Sequence, residues 1–240
     1  MTTLRASAAL LTLGLAVAGI AACGEDGASP SSGSSASASP ATNGIDTLPA
    51  EKALAAAKSA YLKAATVRVR GTVVDSGTNV ALDLRTSLNG DTQGTLRLDG
   101  ATIKVLTIGK NAWFSGDRKF WTDAAGADAY AQMKGKYVRT TRTSADFKDF
   151  ADLIDRQQFA DTVLPDTLLP GGRQAVNGLD AYRFKDLRGS SYFVALTGEP
   201  YPLKFAGKDG AQALDLDFLE YGKPLKLTPP PAAKVISADT

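Results

Sequence analysis

The feature that most constrains this chain is a period-two alternation of apolar residues running from Val67 to Trp121. Val67, Val69 and Val73 alternate with Arg68, Arg70 and Thr72. Val80, Leu82 and Leu84 alternate with Ala81, Asp83 and Arg85, and Leu96 and Leu98 with Thr95, Arg97 and Asp99. Successive side chains of a strand point to opposite faces, so the pattern specifies a sheet with one apolar and one wet face. Ser76-Gly77, Asn89-Gly90 and Asp99-Gly100 supply the positive φ that tight turns need. Connections this short force antiparallel neighbours, so the stretch reads as a meander with no room for a helix.

The flanking segments read differently. Pro49 to Ala65 is rich in Ala, Leu, Lys and Glu, with Leu54, Ala57, Tyr61 and Ala64 on one stripe, which predicts a helix packed on the sheet. Ala112-Trp113-Phe114 and Phe120-Trp121 are separated by a turn at Gly116-Asp117. Ala124 to Met133 reads as a short helix or loop, and Lys136 to Thr140 as a strand. Ser144 to Leu164 changes to helical spacing, with Phe147, Phe150, Ala151, Ile154 and Phe159 recurring and Ser144 placed as a cap. Strands then return. Arg173–Val176 and Leu179–Lys185 flank Asn177-Gly178, Ser191–Leu196 and Pro202–Ala206 flank Gly198-Glu199-Pro200, and Ala213–Leu219 precedes an extended Pro-rich end. About a dozen strands exceed what a flat sheet usually holds, so the sheet is expected to curl.

The N-terminus reads as an export signal over residues 1–22. Arg5 is followed by an apolar run from Ala6 to Ile20, too short and too rich in Ala and Gly to span a membrane. The ending Ile20-Ala21-Ala22-Cys23 resembles the lipobox of bacterial lipoproteins. That resemblance implies cleavage between Ala22 and Cys23, and diacylglycerol and palmitate on the cysteine. Cys23 is the only cysteine of the chain, which fits a residue committed to lipid. The implied location is the extracytoplasmic face of the bacterial cell membrane, and two acyl chains anchor firmly where one binds only marginally. Residues 23–46 read as the lipidated cysteine and a flexible linker, since Gly24 to Asn43 is dominated by Ser, Ala, Gly and Pro. The linker serines also offer acceptors for O-glycosylation. Residues 47–240 then form one domain of ordinary size.

Composition excludes several functions. Without Arg5, 26 basic residues face 25 acidic ones and no basic block appears, so nothing favours nucleic acid. The chain has no histidine, which removes Ser-His-Asp and Cys-His sites and His-based metal sites. No Gly-rich phosphate loop lies between a strand and a helix. Asp215 and Asp217 alternate on one strand and form a weak candidate carboxylate pair, outweighed by ordinary solvated surface. A Ser-Lys pairing is left open by spacing. The expectation is a non-enzyme without cofactor or metal.

The order of lipobox, linker, helix, meander, helical insertion and further strands is similar to the mycobacterial LppX/LprG-type lipoproteins and, more distantly, the LolA-type lipoprotein carriers. Local matches are Arg68-Val69-Arg70-Gly71-Thr72, Val176 through Arg183, Tyr201-Pro202-Leu203-Lys204-Phe205, and Leu216-Asp217-Phe218 through Tyr221-Gly222. The resemblance covers residues 48–238 and implies an α+β fold of mostly antiparallel strands. This is a strongly curved half-open barrel of about 11–12 strands, with the N-terminal helix and helical lid segments on its concave face. It implies a lipid, glycolipid or acyl group held in an apolar hollow. The expected lining is Val67, Val69, Val80, Leu82, Leu84, Leu96, Leu98, Ile103, Val105, Trp113, Phe147, Phe150, Ile154, Phe184, Phe205, Leu216 and Phe218. Three readings stand beside one another: a membrane-tethered lipid carrier, a sensory or regulatory lipoprotein acting on a membrane partner such as a transporter, and a cell-envelope scaffold with a solid core.

Overall fold

The structure is a computed structural model describing residues 41–75, 77–147, 150–151, 155–163, 168–209 and 211–237. The signal segment, Ala22, Cys23 and most of the linker lie outside these residues. So does Ile154.

The domain is one curved, unclosed sheet of twelve strands. Helix α1 (Ala50–Lys63) precedes a meander of β1 (Thr66–Asp75), β2 (Thr78–Ser87), β3 (Thr92–Leu98), β4 (Ala101–Ile108) and β5 (Asn111–Gly116). Two short helices, α2 (Arg118–Ala125) and α3 (Ala129–Met133), lead to β6 (Tyr137–Thr141). A 3-10 turn at Ala145–Phe147 and helix α4 (Arg156–Val163) follow. The chain then returns through β7 (Leu169–Val176), β8 (Leu179–Lys185), β9 (Ser191–Ala195), β10 (Pro202–Asp209) and β11 (Gln212–Leu219). With a short last strand, β12 (Val235–Ser237), the strand order is β12-β6-β5-β4-β3-β2-β1-β11-β10-β9-β8-β7. The two meanders therefore join through the β1–β11 pair, where Val69 faces Phe218 and Gly71 faces Leu216.

The alternation expected of the meander sets the register. Leu82 lies opposite Leu96, and Leu96 opposite Ile103, so one apolar row crosses β2, β3 and β4 on the inner face. That face packs on α1. Val67, Val69, Leu82, Leu84, Leu96, Ile103, Val105, Phe205, Leu216 and Phe218 share one buried cluster with Ala53, Leu54, Ala57 and Tyr61 of the helix. Burying each large side chain contributes about 1.5–3 kcal/mol.

Two glycines let neighbouring strands approach closely on the inner face. A Cβ at Gly94 would stand 2.8 Å from the Cα of Leu84 and closer still to the Asp83 carbonyl oxygen. At Gly71 it would meet the Asp215 carbonyl, and Gly71 also has φ of 153°. Both occupy positions on the inner face where the neighbouring backbone comes too close for any other residue.

Several expectations are corrected here. Phe120-Trp121 is not a strand but the first turn of α2, because the Asp117 carboxylate caps the helix by accepting the Phe120 N–H at 2.9 Å. Among the described residues, the helical segment from Ser144 holds the 3-10 turn at Ala145–Phe147 and helix α4, with Asp155 outside the helix. Ser144 Oγ accepts from Thr140 at 2.6 Å and donates to the Thr141 carbonyl, so it ties the strand end and does not cap. The cap of α4 is instead Asp155, whose carboxylate accepts the Gln158 N–H at 2.7 Å. The domain also begins earlier than residue 47. Asn43 donates its backbone N–H to Leu196 at 2.8 Å, its side-chain amide bonds Ala195 and Gly198, and Ile45 is buried in the core.

The C-terminal segment departs most from expectation. Leu225 lies against the outer face of β1 and β2, beside Arg68 and Arg85, and Thr228 to Pro231 over Gln93, Thr95, Lys104 and Leu106 of β3 and β4. The chain thereby crosses the outer face, and β12 (Val235–Ser237) pairs in parallel with β6. A parallel pair requires such a crossover connection.

Gly94→Val is expected to cost about 1–3 kcal/mol, the range of core overpacking, measured as a lowered urea midpoint with unchanged slope.

Candidate functional site

The candidate site is the inner face of the half-barrel and its helical cover. It is lined by aromatic rings in three groups. Phe114 of β5 stacks on Trp121 at 6.0 Å and on Phe150 at 6.3 Å, and Phe150 reaches Phe147 at 5.7 Å. Tyr61 of α1 meets Phe218 of β11 at 5.7 Å, with Phe159 of α4 beside both. Tyr192 stacks on Phe205 at 4.3 Å near Phe184 and Tyr182. Edge-to-face and offset pairs of this kind add about 0.5–1.5 kcal/mol beyond their buried area.

Fourteen of the seventeen lining candidates named from the sequence lie in this cluster or pack on it: Val67, Val69, Val80, Leu82, Leu84, Leu96, Ile103, Val105, Phe147, Phe150, Phe184, Phe205, Leu216 and Phe218. Leu98 lies on the same face, opposite Val80 and Ala101, but at the end of β3 it is 40% exposed. Trp113 is buried on the opposite face. In β5 it falls between Ala112 and Phe114, which both join the inner cluster, and it pairs across strands with Leu106 and Arg139. The indole on the inner side is that of Trp121, whose N–H has no partner among the described residues. The cap at Asp117 was the signal for this placement: it starts a helix, which turns the second tryptophan inward.

The cover is held by side chains instead of a backbone ladder. Arg156 opens α4 and is only 8% exposed. Its guanidinium donates to the Ala64 carbonyl at 2.7 Å and to the Tyr61 carbonyl, both at the C-terminal end of α1. A cation there satisfies orphan carbonyls and complements the helix dipole. The same guanidinium stands 4.9 Å over the Tyr61 ring. Burial pushes the Tyr61 phenol up to about 12, with Arg156 acting against the shift. Lys58 of α1 and Asp161 of α4 add an exposed ion pair.

One rim of the half-barrel is closed by a polar knot. Thr92 is fully buried; its hydroxyl donates to the Gly90 carbonyl at 3.1 Å, and its oxygen meets the Thr86 hydroxyl at 3.1 Å, where Thr86 can donate. Thr107 donates to the same carbonyl and accepts the Thr92 N–H at 2.9 Å. Each buried hydroxyl is thus paired, as interiors demand.

The outer face is ionic. Arg68 chelates Asp83 with bonds of 2.7 and 2.6 Å and reaches Glu220 at 3.2 Å. This holds the Asp83 carboxyl below its ordinary range, chiefly through the hydrogen bonds from Arg68. Asp215 and Asp217 both pair with Lys204, and Asp217 also accepts from Asn177 at 3.1 Å. They are ion-pair partners of Lys204 on the β11 strand. Among the described residues no group of His, Cys, Asp or Glu could hold a metal ion. No helix among them is long and apolar enough to cross a membrane.

No protein-family model and no curated protein matches the chain. Among solved structures it is similar to LprF from Mycobacterium bovis, at 15% identity and a TM-score of 0.53, covering 75% of this chain and 96% of that one. The lipoprotein LppX from Mycobacterium tuberculosis matches at 14% identity and a TM-score of 0.48, covering 75% of this chain and 97% of that one. The fold is like that of LprF: a half-open, curved antiparallel sheet with its N-terminal helix on the inner face.

Arg156→Gln is expected to lower stability by about 1.5–3 kcal/mol, the scale of hydrogen bonds made by a charged group. Lys58→Met, which removes only the exposed pair with Asp161, is expected to leave the urea midpoint unchanged.

Proposed function

We propose that this protein is a lipid-anchored, extracytoplasmic lipoprotein that binds or carries a lipid, glycolipid or acyl group between the sheet and its helical cover. Residues 1–22 are its signal, Cys23 carries the lipid anchor, and the following segment tethers the domain to the outer leaflet. The observation that carries this reading is the construction of the inner face. Aromatic and aliphatic side chains fill it, its cover meets the sheet through side-chain packing, and the Arg156 clasp joins α4 to α1. A cover held in this way can move as a body and admit an acyl chain without breaking any strand pairing. The likeness of fold to LprF supports the same reading.

A scaffold with a solid core is the second reading, favoured by the near-complete burial of Leu82, Leu96, Ile103 and Leu216. Substitution separates the two. In a solid core, Leu82→Trp and Leu96→Trp each cost about 1–3 kcal/mol through overpacking. In a carrier the cover yields and the new ring occupies the space of the ligand. At least one variant is then expected to stay within about 1 kcal/mol of wild type while uptake of a fluorescent fatty acid falls severalfold. Strong destabilisation of both variants, with no uptake by wild type, would leave the scaffold.

The anchor has its own test. Cys23→Ala is expected to abolish labelling by a fatty-acid analogue in cells and to release the protein from the membrane, with the domain still folded. Labelling that survives the substitution would contradict lipidation at Cys23.

A further inference from the structure

A cleft of about 300 Å³ opens beside the C-terminal end of α1. Its walls include Leu62 of α1, Leu88 and Asn89 of the β2–β3 turn, Arg142 after β6, and Asp155 and Arg156 at the start of α4. Two arginines and one aspartate thus line one cleft. Asp155 commits one oxygen to capping α4. Among the described residues neither arginine has an ion-pair partner. Arg142 makes only a long contact of 3.4 Å to the Asn89 carbonyl, and lies against Gly90, where a Cβ would stand 2.9 Å from its Nη1. Arg156 spends its Nη atoms on carbonyls of α1, and its buried Nε has no partner. A buried cation with an unsatisfied donor is costly unless an anion completes it.

The surroundings say what kind of anion fits. The Arg156 guanidinium lies over Tyr61, whose ring joins Phe159 and Phe218 of the apolar interior. On the solvent side Leu88 is 60% exposed. A charged cleft therefore sits directly above the aromatic interior, with an apolar residue at its lip. We infer that the cleft receives the phosphate of a lipid headgroup whose acyl chains enter beneath α4, with Arg142 and Arg156 as its donors. Guanidinium groups suit this task because their fixed forks match phosphate oxygens. The assignment rests on the lipid-binding function proposed above and specifies its ligand: an anionic phospholipid in preference to a neutral one.

The test offers the full chain two vesicle populations, one doped with phosphatidylglycerol and one with diacylglycerol of the same acyl chains. Protein is repurified and bound lipid is counted by native mass spectrometry. Wild type is expected to take up phosphatidylglycerol about tenfold better. Arg142→Gln, a half-exposed position that no core contact depends on, should erase most of that preference and leave diacylglycerol uptake unchanged, and Arg142→Lys should restore part of it. Equal uptake of both lipids, unaltered by Arg142→Gln, would overturn the headgroup assignment and leave the carrier standing. Uptake of neither lipid would overturn both. Arg142-dependent binding of glycerol phosphate without phospholipid uptake would also overturn it, making the cleft a site for free phosphate.

Discussion

An open sheet with an apolar inner face must find its cover within the same chain. Closing the strands into a complete barrel would have hidden the edges and fixed the interior. Here the sheet stops at β12 on one side and β7 on the other, and the inner face from Val67 to Phe218 is buried by α1 together with Trp121, Phe147 and Ala160 of the later cover. The helix itself needs an end. Arg156 of α4 reaches back to donate to the helix's terminal Tyr61 and Ala64 carbonyls. The first and second covering helices are thereby joined by one buried cation, and α4 owes its position to that cation more than to the exposed Lys58–Asp161 pair.

The outer face solves a different problem. Charges there pair across strands, as Arg68 does with Asp83, so solvent-facing positions also reinforce the register. The terminal strap crosses this face and ends as three residues of strand on β6, while β7 carries Pro170 as its second residue and a register shift before Gly172. Short or irregular edges of this kind discourage another chain from adding to the sheet.

Much of this architecture was legible in the sequence. Alternation at Val67, Val69, Leu82, Leu84 and Leu96 named the inner face, and Asn89-Gly90, Asp99-Gly100 and Asn177-Gly178 located the hairpins. Three features were not legible, each for a physical reason. Trp113 and Trp121 are equally hydrophobic, and only the Asp117 cap, a local hydrogen bond, decides which one turns inward. Arg156 reads as a solvated charge, because its acceptors lie some ninety residues earlier in the chain. The strap gives no periodicity at all. Its partner strand β6 follows from the topology, since Val235 and Ile236 are too few to identify a strand. The residues that line the apolar interior were thus readable from pattern, whereas the polar groups that close it depend on long-range contacts.

The central claim is that the cover moves to admit a ligand. It is tested most directly by the distance between spin labels on Gln158 of α4 and Arg97 on the outer side of β3, in a chain whose Cys23 has been replaced. Measured by double electron–electron resonance before and after incubation with phospholipid vesicles, the distance is predicted to lengthen on loading and to return when the lipid is stripped. An unchanged distance in protein shown by mass spectrometry to hold lipid would contradict the account.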